Sequence, residues 1–375
     1  MKNKFLLTAF FLSFSTGAFA HIEFLGHTEK LKAIESSWAQ LLAHFDVDSS
    51  LVLESGDAET GKITFQLSTP SSETTTLDFS SRASFGISPE NYVFVDYEGN
   101  QEETAIVSQK EILLAMLQHG RTFRFGGNGD PLEALQDVIG IRQNVARWTV
   151  RMNRPFPDEV KIKSGFNPAY WNDWFILKPG VPADVAMADV FTNPAPLYAM
   201  GCTSRTKLTL AQAAFDYYAN VKHDSAGLAR ATALVGDKPL TSLGLDYDDN
   251  GKVISSGLLS SQNDVPADNW IAGDWAYFRN NDPKSRQISG WEGSNTLYQG
   301  EGVFGNYYPD TLKKRLTLED KVNEVESWQF GVEYFQTDPR ATHYSGAAMM
   351  KLLVSPLQGG ILWPARTSVT VEGAL

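Results

Sequence analysis

The stretch Pro196-Leu197-Tyr198-Ala199-Met200-Gly201-Cys202-Thr203-Ser204-Arg205-Thr206-Lys207-Leu208 decides how this chain reads. Pro194 and Pro196 disfavour helix just before it. After Gly201 apolar residues return at helical spacing, with Leu208, Ala211, Phe215 and Tyr218 on one face. The pattern predicts a helix over 203–223 with Cys202 at its N-terminus. Unpaired backbone N–H groups at a helix start favour an anion there, and the thiolate is the nucleophilic form of cysteine. Arg205 in the first turn adds positive charge. Cys202 is the one cysteine in 375 residues, so no intramolecular disulfide consumes it. A lone cysteine is more often a small buried hydrophobe. Its place at a helix start is what marks this one as a candidate nucleophile.

Working outward, Ser108 and Glu111 have capping-box spacing ahead of Ile112–Leu117, and a second helical pattern runs from Leu132 to Trp148. Downstream, Trp275–Phe278 and Asn295–Tyr298 read as strands separated by a loop. Leu318–Trp328 reads as a helix, and Ser345–Val354 is an apolar segment of open type. Towards the N-terminus lie a helical stretch, Leu31–Phe45, and an alternating strand, Lys62–Leu67, followed by a Ser/Thr-rich loop over Thr69–Thr76. The change of texture near Ala105 divides the chain into a region 21–104, a core 105–310 and a C-terminal segment 311–375. The expected class is α+β, a nucleophile-bearing helix packed on a small antiparallel sheet with an N-terminal α/β extension.

Composition limits the partners. The chain is 42% hydrophobic, which suits a large buried core, and its net charge of −12 repels phosphate backbones and anionic lipid heads. Nucleic acid and membrane surfaces are therefore not expected partners. Lys2 and Lys4, the apolar run Phe5–Leu12 and the small-residue end Ala18-Phe19-Ala20 have the layout of a secretory signal peptide, residues 1–20, cleaved before His21. A secreted or periplasmic protein follows, with extracellular or host proteins as targets.

Pro196–Thr203, together with Tyr170-Trp171, Pro182-Ala183-Asp184, Gly273–Asn280 with Asp282-Pro283, Trp291–Asn295 and Gly300-Glu301, resembles the bacterial spore-coat transglutaminases in order and spacing. A weaker resemblance links Arg151–Pro155 and Val160-Lys161 to the secreted elicitor transglutaminases of oomycetes and marine bacteria. The first resemblance implies a papain-like arrangement and a protein-glutamine γ-glutamyltransferase. In such an enzyme Cys202 would attack a glutamine carboxamide, release ammonia and pass the acyl group to a lysine amine. The substrates would be proteins offering Gln and Lys, and the chemistry requires no cofactor. Hydrolysis of the same thioester would make it a cysteine amidase, deamidase or peptidase, and a buried, unused Cys202 would leave a non-catalytic binding protein.

The general base is where this chain departs from the family pattern. A gapless match puts Ser294 in the carboxylate position, and Gly201 replaces a second family carboxylate. Glu292, two residues from Ser294 and on the same face of a strand, is the first choice, with Asp274 to orient it. His343 and His223 are the alternatives. Separately, Asp246, Asp248, Asn250 and the Lys252 carbonyl match the first half of a calcium loop, with Gly257 where the closing Glu belongs and Asp264 as a substitute acid. A plain Asp/Asn/Gly turn explains the same residues.

Overall fold

The structure is a computed structural model. It describes residues 21–374 except 69–84, 97–98, 119, 153–166, 173–175, 193–197, 199, 236–244, 248–252, 256, 306–314 and 332–337. The expected signal peptide and Thr69–Thr76 loop lie outside the described residues, as does the elicitor-like stretch beyond Met152.

Two sheets organise the molecule. The N-terminal one begins with β1 (His21–Leu25), followed by α1 (Thr28–His44), β2 (Val52–Asp57) and β3 (Lys62–Leu67). Its fourth strand is β6 (Thr122–Phe125), which runs parallel to β1. The order is β2-β3-β1-β6. Trp38 of α1 stacks on Phe65 of β3 at 3.9 Å and meets Phe24 edge-on, which fastens the helix to the sheet. Because β6 lies beyond residue 105, the expected boundary at 104/105 passes through a sheet shared by both sides. One apolar core runs from Ile22 to Val371.

Between β3 and β6 the chain forms the hairpin β4 (Glu90–Val95) and β5 (Gln101–Ile106), then α2 (Gln109–Leu117). Ser108 caps α2 as its sequence predicts, accepting the Glu111 N–H at 3.3 Å. Helix α3 (Pro131–Arg151) is capped by Asp130, with proline in the first turn where its missing N–H costs nothing. Next come α4 (Ala183–Thr192), α5 (Cys202–Asp216) and α6 (Ser225–Val235). The helix expected to reach residue 223 is α-helical only to Asp216 and continues as a π turn, Tyr217–Val221. The turn lets two successive tyrosines face one carboxylate: the Tyr217 and Tyr218 hydroxyls donate to Asp137 of α3 at 3.0 and 3.4 Å. Gly140 of α3 admits the Tyr217 ring, since a Cβ there would lie 2.2 Å from it.

The hairpin β7 (Leu245–Tyr247) and β8 (Val253–Ser255) carries the expected calcium loop. Asp248, Asn250 and Lys252 lie outside the described residues. The flanking elements are paired strands.

The central sheet is antiparallel throughout. It contains β9 (Leu259–Gln262), β10 (Trp275–Arg279), β11 (Gly293–Gly300), β12 (Val303–Gly305), β13 (Arg315–Thr317) and β14 (Arg366–Val369), in the order β13-β12-β11-β10-β14-β9. Helices α3 and α5 cover one face. On the other, α7 (Leu318–Ser327) and α8 (Gly346–Leu352) enclose a second core around Trp270, Phe278 and Phe304. The architecture is the expected α+β arrangement, nucleophile helix on antiparallel sheet. No helix among the described residues is long and apolar enough to cross a membrane.

Candidate active site

Cys202 is the first residue of α5, and Gly201 is its N-cap. Glycine has no side chain to cap the helix, and Gly201 makes no side-chain cap hydrogen bond there. Arg205 is fully buried and donates from Nε to the Met200 carbonyl at 2.9 Å, bracing the turn that enters the helix. Before it, the buried Tyr198 hydroxyl donates to Asp189 of α4. The thiol is partly exposed.

What faces the sulfur is Asn295 of β11. Its Nδ2 donates to Cys202 Sγ at 3.3 Å and to Thr203 Oγ1 at 2.9 Å, while its Oδ1 accepts the Trp275 indole N–H at 2.8 Å. An indole nitrogen only donates. Trp275 therefore holds the amide oxygen on its own side and turns the NH₂ towards the thiol. On the strand Asn295 shares a face with Gly293, whose carbonyl lies 4.0 Å from Sγ. A Cβ on Gly293 would come 2.4 Å from the Tyr277 hydroxyl, so glycine is what lets that ring lie across the strand.

Around the thiol is a pocket of about 520 Å³. Cys202, Thr203 and Asn295 meet there with Trp275 and Tyr277 of β10, and with Trp363 and Thr367 from the chain's last strand and its approach. Glu292 is the one carboxylate among the described lining residues. It arrives by a route other than the expected one. Residue 294 faces away from the thiol, so sharing its face would carry Glu292 away too. Strand pairing begins only at Gly293, however, and Glu292 sits in the preceding bend with its carboxylate accepting the Gly290 N–H at 2.9 Å. The Tyr277 hydroxyl donates to the Glu292 carbonyl at 3.0 Å. Burial, then the nearby Cys202 and Glu292, push the Tyr277 phenol up to about 12, so it remains a neutral donor.

The other expected residues are elsewhere. Ser294 lies on the opposite face of β11, where it accepts from Lys321 of α7 at 2.7 Å and donates to Glu324 at 3.3 Å. Asp274 does not orient Glu292. It is fully buried and bonded to Arg142 at 2.9 Å and to Arg121 at 2.5 and 3.1 Å, and it also accepts the Ile271 N–H. Burial opposes its charge, but the two guanidiniums outweigh burial and hold the carboxyl below its ordinary range. Its task is to neutralise arginines that would otherwise be buried unpaired. His223 lies beyond the far end of α5, a helix about 20 Å long at 1.5 Å per residue that starts at Cys202, and is exposed. His343 is exposed as well and does not line the pocket. Among the described residues no three of His, Cys, Asp and Glu cluster as metal ligands.

Sequence reasoning missed Asn295, Trp275 and Trp363. The period-2 alternation of β11 carried the signal for Asn295, since residues 293, 295 and 297 share one face.

A free thiol at a helix start, with an oriented amide on it and an aromatic pocket above it, is the equipment of a cysteine-dependent transferase or hydrolase. The protein-glutamine gamma-glutamyltransferase family model matches residues 91–311, more than half of the chain. The chain belongs to that family and is a transglutaminase, an acyltransferase acting on protein glutamine and lysine side chains. Among solved structures it is similar to the transglutaminase from Geobacillus stearothermophilus without its C-terminal extension. That likeness has 19% identity and a TM-score of 0.41, and covers 64% of this chain and 93% of that one. No curated protein matches it.

Proposed function

We propose that Cys202 forms a thioester with the γ-carbonyl of a protein glutamine and that a lysine amine then resolves it to an isopeptide crosslink. In the first half, Sγ bonds to the carboxamide carbon, the C–N bond breaks, and ammonia leaves with the thiol's proton. In the second, the amine nitrogen bonds to the same carbon, the C–S bond breaks, and the proton lost by nitrogen returns to the sulfur. Asn295 stabilises the anionic sulfur and the oxyanion that forms beside it, with the first-turn N–H groups of α5 as further donors. Glu292 moves the protons.

One observation carries the reading: the Asn295 amide, oriented by Trp275, donates to the sulfur of the chain's one cysteine inside a substrate-sized pocket. Incorporation of a fluorescent primary amine into a glutamine-rich protein tests it. Cys202→Ala is expected to abolish incorporation, and Glu292→Gln to lower it on the order of 10²-fold. Incorporation that persists in Cys202→Ala overturns the assignment. Ammonia release without amine incorporation makes the protein a deamidase. We also propose export, with the mature chain starting at His21. A secreted product whose N-terminal sequence begins elsewhere rejects that start.

A further inference from the structure

The walls of the pocket come from two parts of the chain. Trp275, Tyr277, Gly293 and Asn295 lie inside the family segment, which ends at residue 311, whereas Trp363, Ala365 and Thr367 lie beyond it. Strand β14 enters the sheet between β10 and β9, pairing Thr367 with Trp275 on one side and Ser261 on the other. The Thr367 and Ser261 hydroxyls bond across at 2.6 Å. Ahead of the strand, the Trp363 N–H donates to the Tyr277 carbonyl at 3.0 Å and Leu362 bridges Phe278, which fixes Trp363 beside Tyr277.

The pocket lining consequently holds two unlike sets of groups. One is the Asn295 amide, bonded to Trp275, with the Thr203 and Thr367 hydroxyls, groups that hydrogen-bond a neutral carboxamide. The other is Tyr277 with Trp363, whose N–H bonds the Tyr277 carbonyl, and Glu292, whose carbonyl accepts the Tyr277 hydroxyl. Two aromatic faces and a carboxylate suit an alkyl chain that ends in an ammonium. Sγ opens into the same pocket, 3.3 Å from the Asn295 amide and 4.0 Å from the Gly293 carbonyl.

We propose that Trp363, with Tyr277 and Glu292, forms the subsite for the acyl acceptor, a primary amine on a straight alkyl chain such as a lysine side chain. The segment beyond the family core thereby decides which amines discharge the enzyme. This rests on the transamidation reading above.

The test uses the full chain, a glutamine-containing peptide as donor, and n-alkylamines from methylamine to n-pentylamine as acceptors. A methylene transferred to an apolar wall gains about fourfold, so kcat/KM for the amine is expected to rise by roughly 10² over the series. Trp363→Ala should flatten this rise to within about tenfold, mainly through KM for the longer amines. Trp363→Phe should keep most of it, which a merely structural role of Trp363 would not distinguish from Ala by chain length. Two controls separate the failures. No ammonia release from the donor by the unaltered enzyme sinks the transamidation reading. Ammonia release with a flat amine series in the unaltered enzyme, or a series unchanged by Trp363→Ala, sinks this inference alone.

Discussion

The two faces of β11 separate the thiol from a buried ion pair at neighbouring residues. Asn295 faces α5 and touches the thiol, whereas Ser294 faces α7 and is bound by Lys321 and Glu324. In a strand a shift of one residue exchanges every side chain between faces. Aligning the strand to a carboxylate at position 294 therefore directs attention to the side remote from the nucleophile. The difference teaches that the chemistry of this site depends on which parity of β11 reaches α5, and that no carboxylate stands on that parity at the point nearest the sulfur.

Exchanging the two neighbours gives the widest separation. Asn295→Ala removes an oriented donor and should lower kcat by on the order of 10²–10³-fold, while Ser294→Ala should change kcat by less than about threefold. Comparable losses in steady-state rates for both variants would break the division between faces.

Lys321→Met sharpens the architectural side. Lys321 is nearly inaccessible and its partner Glu324 is 18% exposed, with 2.5 Å between them. Removing the cation strands a mostly buried carboxylate, at a cost near the lower end of the range for breaking buried pairs, about 3 kcal/mol. Urea unfolding should show this loss, and the turnover of the remaining folded enzyme should stay close to normal. A fall in turnover with unchanged stability would place α7 in catalysis.

A further effect, visible only as pH changes, concerns the end of β11. Glu111 of α2 is buried and accepts the Glu301 N–H at 2.9 Å just past Gly300. Burial pushes its carboxyl up to about 7 from the ordinary 4.5, a rise that this hydrogen bond partly offsets. Below pH about 4.5 both folded and unfolded states hold the proton, so the group does not affect stability. From there to about 7 the unfolded chain has released a proton that the folded one keeps, and stability falls as pH rises. The shift corresponds to roughly 3 kcal/mol, complete above about pH 7. Glu111→Gln should flatten the stability profile between these limits and leave kcat nearly unchanged. An unaltered slope in Glu111→Gln would exclude Glu111 as its source.

Much of the fold was legible because its signals are local. Proline and glycine before Cys202 mark the start of α5, and Ser108 caps α2. The N-terminal region's attachment to the core was not legible, since pairing of β1 with β6 is a contact between distant residues that no local pattern encodes. Strand β14 was missed for another reason. Arg366 brings a charged side chain into a buried strand, where it is 1% exposed and its guanidinium lies over the Trp270 ring at 3.8 Å. At the site, the thiol was legible from its helix start. Asp274 was misread because a carboxylate near a nucleophile resembles an orienting group until the two buried arginines that claim it are seen.

The position of β14 has a consequence for timing. The ribosome delivers the chain from its N-terminus, so Cys202 and Asn295 emerge well before Trp363 and Thr367. A nascent molecule holds its thiol against an unfinished sheet, with β10 and β9 exposing bare edges where the last strand will dock. Competence to crosslink then arrives with the closing of that gap, late in the making of each new chain.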